Sequence, residues 1–234
     1  MGEPFRFKQF SLAQDRCAMK VGTDGVLLGA WAPAEGAQHA LDVGTGTGLI
    51  ALMLAQRFPA LRLDALEIDP ASAAQAAENV AASPFADRIA VQAGALQTFF
   101  PPRAYDLIVS NPPFFAAGPV ARDPRKGQGR HEHRLPLQFL LHFAAQHLSE
   151  QGRIALILPI DREAETIQEA GLLQLHPEAI CQVRPTPQKP LHRSLLSLRR
   201  QAPRAIERQT LTLQSEGTFT TDYQALTQAF HPFW

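Results

Sequence analysis

Asp42-Val-Gly-Thr-Gly-Thr-Gly48 decides the fold. The residues before it, from His39 to Val43, read as a short buried strand, and Leu49 to Gln56 read as the helix that follows. Between them Gly44, Gly46 and Gly48 alternate, which is G-x-G-x-G and not the G-x-G-x-x-G of dinucleotide sites. Glycines here permit positive φ and let a ligand press against backbone, while the start of the helix presents free N–H groups. A second apolar run, Leu63 to Ile68, carries Glu67 near its end. A carboxylate at the end of that strand can accept hydrogen bonds from the two hydroxyls of a ribose. The plainer alternative is a glycine turn that only joins strand to helix, with Glu67 capping the helix that begins at Pro70.

A second motif, Asn111-Pro112-Pro113-Phe114, follows the apolar stretch Tyr105 to Ser110. It therefore falls at the C-terminal end of a strand, where open α/β sheets bind ligands. Each proline fixes φ near −65° and lacks a backbone donor, so the turn is stiff. The side-chain carbonyl of Asn111 and the main-chain carbonyl of Pro112 can then face one acceptor site, with the Phe114 ring as a flat wall. Such a pocket suits a planar, conjugated NH2 group, because two carbonyls take its two hydrogens.

The rest of the chain alternates strand and helix. Helices are expected near Ala71 to Ala82, Leu137 to Leu148 and Arg162 to Ala170, the last with Gly171 as its C′ cap. Strands are expected near Ile89 to Gln92, Arg153 to Leu158, Gln174 to Val183 and Ser194 to Arg199. This predicts an α/β fold with a seven-stranded, mostly parallel sheet, helices on both faces and an antiparallel C-terminal hairpin. Gln209 to Leu213 is a candidate edge strand, and Tyr223 to Phe230 a last helical turn or two. The 234 residues, 45% of them hydrophobic, suffice for one α/β core and suggest a single domain over residues 1–234. Residues 1–36 form an N-terminal extension.

The chain begins without an apolar signal segment and contains no long apolar run, so neither export nor a membrane span is expected. Its two cysteines, Cys17 and Cys181, make no zinc site and are expected to be free thiols of a cytoplasmic protein. A formal net charge of 0 hides an asymmetry. Arg122 to Arg134 and Arg184 to Arg208 are strongly basic, whereas Glu35 to Asp106 carries more acids than bases.

The glycine motif, Glu67 and the Asn-Pro-Pro-Phe turn together resemble the class I methyltransferases, which use S-adenosylmethionine. A nicotinamide enzyme would want the longer glycine spacing and would leave the second motif without a role. The motif itself does not separate an adenine amino group from a glutamine carboxamide. Two features favour RNA. Residues 1–41 leave no room for the helical domain that release-factor glutamine methyltransferases carry, and the first basic segment directly follows the Asn-Pro-Pro-Phe turn. Arg125, Lys126 and Arg130 there, and Arg193 in the second basic segment, are candidate contacts to phosphates.

The opening segment narrows the resemblance. Phe5-Arg-Phe-Lys-Gln-Phe10 and Asp15-Arg-Cys-Ala-Met-Lys-Val-Gly-Thr-Asp-Gly-Val-Leu-Leu-Gly-Ala-Trp31 resemble the bacterial tRNA1(Val) (adenine-N6)-methyltransferase family. So does Tyr223-Gln-Ala-Leu-Thr-Gln-Ala-Phe230. This resemblance implies methylation of the exocyclic N6 of the adenine 3′ of the anticodon in a valine tRNA. It implies that Asn111, Pro112 and Phe114 hold the adenine, and that Lys20, Thr23 and Asp24 lie over the methionine end of the cofactor. Asp42, Gly44, Gly46 and Glu67 would line its nucleoside side, residues 1–36 would pack over the cofactor site, and no metal is implied. A protein glutamine N5-methyltransferase, or a non-catalytic protein binding S-adenosylmethionine and RNA, stays open as an alternative. One position departs: where such enzymes often carry an Asp for the cofactor adenine, this chain has Ala95, which leaves Gln92, Gln97 or backbone to serve.

Overall fold

A computed structural model of the chain describes residues 3–17, 19–112 and 137–232. Phe114, Arg125, Lys126 and Arg130 lie outside the described residues. A short antiparallel pair, β1 (Phe5–Arg6) and β2 (Ser11–Leu12), opens the chain and leads to α1 (Thr23–Trp31). Then come β3 (His39–Val43), α2 (Leu49–Arg57), β4 (Arg62–Glu67), α3 (Pro70–Ala81), β5 (Ile89–Ala93) and β6 (Tyr105–Ser110). After the segment left out come α4 (Leu137–His147), β7 (Leu148–Pro159), α5 (Glu163–Leu172), β8 (His176–Arg184) and β9 (Arg193–Arg199). β10 (Glu207–Thr212), the small hairpin β11 (Gln214–Ser215) and β12 (Thr218–Phe219), and α6 (Thr221–Thr227) follow.

The main sheet has the order β10-β8-β9-β7-β6-β3-β4-β5, and only β9 runs against its neighbours. Seven of its strands are those expected from the sequence. The candidate edge strand is real and longer, Glu207–Thr212, and pairs in parallel with β8 as an eighth. Strand order reverses between β3 and β6, because β3 is followed on one side by β4 and on the other by β6. That crevice is where doubly wound sheets bind ligands.

Both faces of the sheet are covered, and the strands show it in their alternation. In β7, Ala155 and Ile157 join the core containing α1 and α2, while Ile154, Leu156 and Leu158 join the core containing α4. Central parallel strands buried on both faces read as unbroken apolar runs for this reason.

Two local details differ from the sequence reading. Helix α5 passes through Gly171 and stops later, with Gln174 at φ 58°. Leu175 N–H donates to Ala170 O at 3.0 Å and Gln174 N–H to Gly171 O at 3.1 Å, the double closure of a Schellman motif. A glutamine thus takes the left-handed position expected of the glycine, while the buried Leu175 anchors the turn.

The second is α1, which amphipathic periodicity does not reveal because Gly25 to Ala30 are all buried. It lies on α2 with almost no clearance: a Cβ at Gly29 would stand 2.7 Å from Met53 Sδ, and one at Gly25 2.9 Å from Leu49 Cδ2. Glycine, a poor helix former, is what the close approach requires. The N-terminal segment therefore shares the main core, with Phe7, Phe10, Leu12 and Val26 buried in it. The last turn of the chain ties in beside them, since Lys8 N–H donates to Phe230 O at 2.8 Å.

Candidate active site

The C-terminal ends of β3, β4 and β6 converge on one crevice. Asp42, the penultimate residue of β3, is fully buried beneath the glycine loop. Its Oδ2 accepts the Thr45 hydroxyl at 2.6 Å and the Ala51 N–H at 3.2 Å, so it both shapes the loop and serves the exposed amides of α2. Oδ1 has no hydrogen-bond partner. Burial pushes this carboxyl up to about 7, against the downward pull of the Thr45 and Ala51 bonds, and the charge of Glu67 adds to the rise.

Gly44 and Gly46 take φ of 72° and 56°, in the left-handed region that glycine alone adopts freely. A Cβ at either would meet nothing within 4 Å, so the missing side chains leave open space. The loop is strung from β4: Leu66 O accepts Gly44 N–H at 2.8 Å and Thr45 N–H at 3.1 Å. Glu67 Oε2 accepts Gly46 N–H at 2.8 Å, and Oε1 accepts Asp69 N–H at 3.0 Å. Glu67 does not cap α3. Asp69 does, through Ser72 N–H at 2.8 Å and the Ser72 hydroxyl at 2.7 Å, bonds that hold its carboxyl below the usual range. Each Glu67 oxygen has spent one of its two acceptor directions, so the carboxylate can still accept from a diol. Ile68, beside it, exposes 42% of a large apolar side chain toward solvent.

Asn111 follows β6, whose end is locked to β3 by the Ser110 hydroxyl donating to Val43 O at 2.7 Å. Asn111 is half-buried and Pro112 buried. A cavity of about 420 Å³, within the range of small-molecule sites, joins Asn111 to Gly44–Thr47 and to the segment from Met19 to Gly25. Lys20, Thr23, Asp24, Gly44, Gly46 and Asn111 all line it. Asp42 and Glu67 do not; both touch the loop from behind, through Thr45 and Gly46.

The remaining wall comes from the C-terminal half. Val183, Pro185, His192, Arg193 and Leu213 complete the cavity. Arg193 Nε donates to Asp24 Oδ2 at 2.8 Å, closing an ion pair between residues 169 positions apart. Its Nη1 lies 2.7 Å from His192 Nε2 and donates to His192 O at 3.1 Å. Arg193 is thus already neutralised at the cavity mouth. The rest of its basic segment is divided by the length of β9. Arg199, at the other end, joins Arg153 on Glu178, and Arg200 donates to Ala145 O at the end of α4.

Just past β5, Gly94 N–H donates to Glu67 O at 2.8 Å, which places Ala95 beside β4. Gln92 and Gln97 are exposed there. Cys17 and Cys181 are free thiols. Among the described residues no helix is long and apolar enough to cross a membrane.

The residues fit an adenosyl sulfonium cofactor on two counts: a glycine cradle with open space where side chains would stand, and a Glu67 carboxylate on the next strand with acceptor capacity left for a diol. Comparison with known proteins agrees. The family model of the methyltransferase small domain matches residues 19–174. A tRNA1(Val) (adenine(37)-N6)-methyltransferase of Porphyromonas gingivalis is 46% identical, over 97% of this chain and 94% of its own length. One from Yersinia pestis is 43% identical, over 98% and 94%. Among solved structures, a predicted O-methyltransferase from Agrobacterium tumefaciens superposes with a TM-score of 0.68 at 18% identity, covering 88% of this chain and 96% of that one. A TehB-like S-adenosylmethionine-dependent methyltransferase from Corynebacterium glutamicum gives 0.51 at 21%, over 77% and 89%. The chain is a class I methyltransferase using S-adenosylmethionine, and it belongs to the tRNA1(Val) (adenine(37)-N6)-methyltransferase family.

Proposed function

We propose that this enzyme methylates the exocyclic N6 of an adenine in tRNA, the adenine 3′ of the anticodon in a valine tRNA. The observation that carries the reading is the position of Asn111. It directly follows β6 and lines the same cavity as the glycine loop, so a planar amino group held there would face the cofactor site. The names of the relatives favour adenine over a glutamine carboxamide. Asn111 lining one cavity with an intact glycine cradle favours an enzyme over a binding protein.

S-adenosylmethionine, when bound, supplies a methyl group on a positively charged sulfur. Gly44 and Gly46 would admit its nucleoside, with Glu67 to accept from the ribose and Asp42 holding the loop through Thr45. Lys20, Thr23 and Asp24 would hold the methionine end, and Ala95 would leave the adenine edge to Gln92, Gln97 or backbone. The amino nitrogen of adenine is a poor nucleophile, because its lone pair is delocalised into the ring. Asn111 Oδ1 and the Pro112 carbonyl accept its two hydrogens, favour a pyramidal nitrogen and turn the lone pair toward the methyl. Their contribution is alignment and oriented dipoles, not an ionised base. The proton leaves after attack.

Phe114 stacks on the flipped base, and Arg125, Lys126 and Arg130 contact phosphates. These side chains enter this reading from the sequence. Arg193, paired with Asp24, shapes the cavity mouth more than it adds free charge for RNA. A tRNA substrate supports a cytoplasmic location.

The test is Asn111→Ala in single-turnover methylation of unmodified tRNA. The rate should fall by about 10²- to 10³-fold, as for loss of one donor from an oxyanion hole, with cofactor affinity nearly unchanged. A variant that methylates as fast as wild type leaves the turn merely structural and removes the adenine-amine assignment.

A further inference from the structure

Helix α3 buries two amides on the face turned to the cofactor site. Gln75 is 0% and Asn79 5% exposed, and they stand one helical turn apart. A buried amide is costly unless its donors and acceptors are all met. Here they are met by the N-terminal strap, residues 13–17 and 19–22. Asn79 Oδ1 accepts Ala13 N–H at 2.9 Å, and Nδ2 donates to Ala13 O at 2.9 Å. Gln75 Oε1 accepts Arg16 N–H at 3.0 Å, and Nε2 donates to Asp15 Oδ1 at 2.6 Å. Arg16 and Glu78 form an ion pair alongside. Farther on, Gln14 Oε1 accepts Val21 N–H at 2.9 Å and folds the strap back on itself.

One bond lies outside this strap-to-helix pattern. Asn79 Nδ2 also donates to Thr47 O at 2.9 Å. A single side chain therefore holds both the glycine loop and the strap that leads into Lys20–Gly25, which are facing walls of the cavity. Neither Gln75 nor Asn79 lines the cavity itself. We propose that Gln75 and Asn79 are positioning residues, a two-amide latch that keeps the strap closed over the cofactor and so sets cofactor affinity. The proposal rests on the placement of S-adenosylmethionine in this cavity. A ligand that needs the closed strap binds with its intrinsic affinity multiplied by the closed fraction.

Asn79→Asp is the test, because it is nearly isosteric. It keeps the acceptor for Ala13 N–H but turns an oxygen toward two carbonyls, Ala13 O and Thr47 O. The Kd and KM for S-adenosylmethionine should rise by about tenfold or more. At saturating cofactor, which closes the strap, kcat should stay within about threefold of wild type. Trypsin should cut faster after Arg16 and Lys20 in the unliganded variant, and cofactor should restore protection. Gln75→Glu supplies a second variant: it sets a carboxylate against Asp15 and should weaken binding a few-fold, and adding Asp15→Asn, which returns a donor, should reverse the loss. That double variant decides the matter if Asn79→Asp does not fold. Unchanged Kd and cleavage in folded Asn79→Asp, a fall in kcat in place of a rise in KM, or no recovery in the double variant overturns the latch. Gly46→Ala, measured in parallel, separates the two layers. If it loses binding while the latch variants keep theirs, only the latch fails; if all bind like wild type, the placement of the cofactor fails as well.

Discussion

Asp42 gives the unliganded protein a stability that falls as pH rises. Its folded-state carboxyl stands near 7 against an ordinary 3.8. Between those values the unfolded chain has lost its proton and the folded chain keeps it, so folding takes up a proton and each pH unit gained costs stability. The contribution is greatest below the unfolded value, declines through the window and levels off above about 7. A carboxyl raised that far corresponds to about 4 kcal/mol in total, of which about 2 kcal/mol is lost between pH 5 and pH 7. Solvent screening does not reduce this much, since Asp42 is fully buried. Urea unfolding of cofactor-free wild type and Asp42→Asn at several pH values from about 5 to 8 isolates the effect, because other titrating groups are common to both. The stability difference between the two should change by about 2 kcal/mol across that window, with wild type losing ground as pH rises. Parallel stability curves would refute the reasoning and mean that Asp42 is ionised throughout.

Two further outcomes concern packing and RNA. Gly152→Ala should destabilise the fold by about 1–3 kcal/mol or more, because the added Cβ would stand 2.6 Å from Tyr105 O and 2.9 Å from Ser149 N, both backbone; unfolding midpoints equal to wild type would show that the backbone there yields. Replacing Arg125, Lys126 and Arg130 together with Ala should weaken tRNA binding and flatten its salt dependence by about one unit of slope per lost phosphate contact. An unchanged slope of log K against log salt would mean that these cations do not reach phosphate.

Strand β6 was legible to the residue, Tyr105–Ser110, because an apolar run bounded by Arg103-Ala104 and Asn111-Pro112 has only one reading. The glycine loop was legible too, since alternating glycines between a buried strand and a helix report backbone that a ligand approaches. Other features depend on neighbours distant in sequence. Helix α1 carries two glycines and no polar face, and makes sense as a helix only once Met53 and Leu49 lie against it. Gln75 and Asn79 are polar residues of α3 that are nonetheless buried, because the strap covers them and bonds them with its own backbone. The end of α5 could not be assigned from glycine alone, as Gln174 is held in the left-handed region by the two bonds that close the turn and by Leu175 below it. Arg193 stood out as a surface cation by composition, and only the return of β9 beside β7 brings it to Asp24.

That last pairing bears on how the enzyme is made. Asp24 leaves the ribosome early and Arg193 late, so during synthesis the cavity lacks one wall until most of the chain has been translated. Folding proceeds largely from the N-terminus as the chain emerges, and the glycine loop can form against β4 well before β8 and β9 exist. A nascent chain could thus gain the cradle for a nucleoside before it has the mouth that presents an acceptor. Contacts of such long sequence separation are also the slow ones to form. Closing the first quarter of the chain onto the last is then the step that completes the cavity wall.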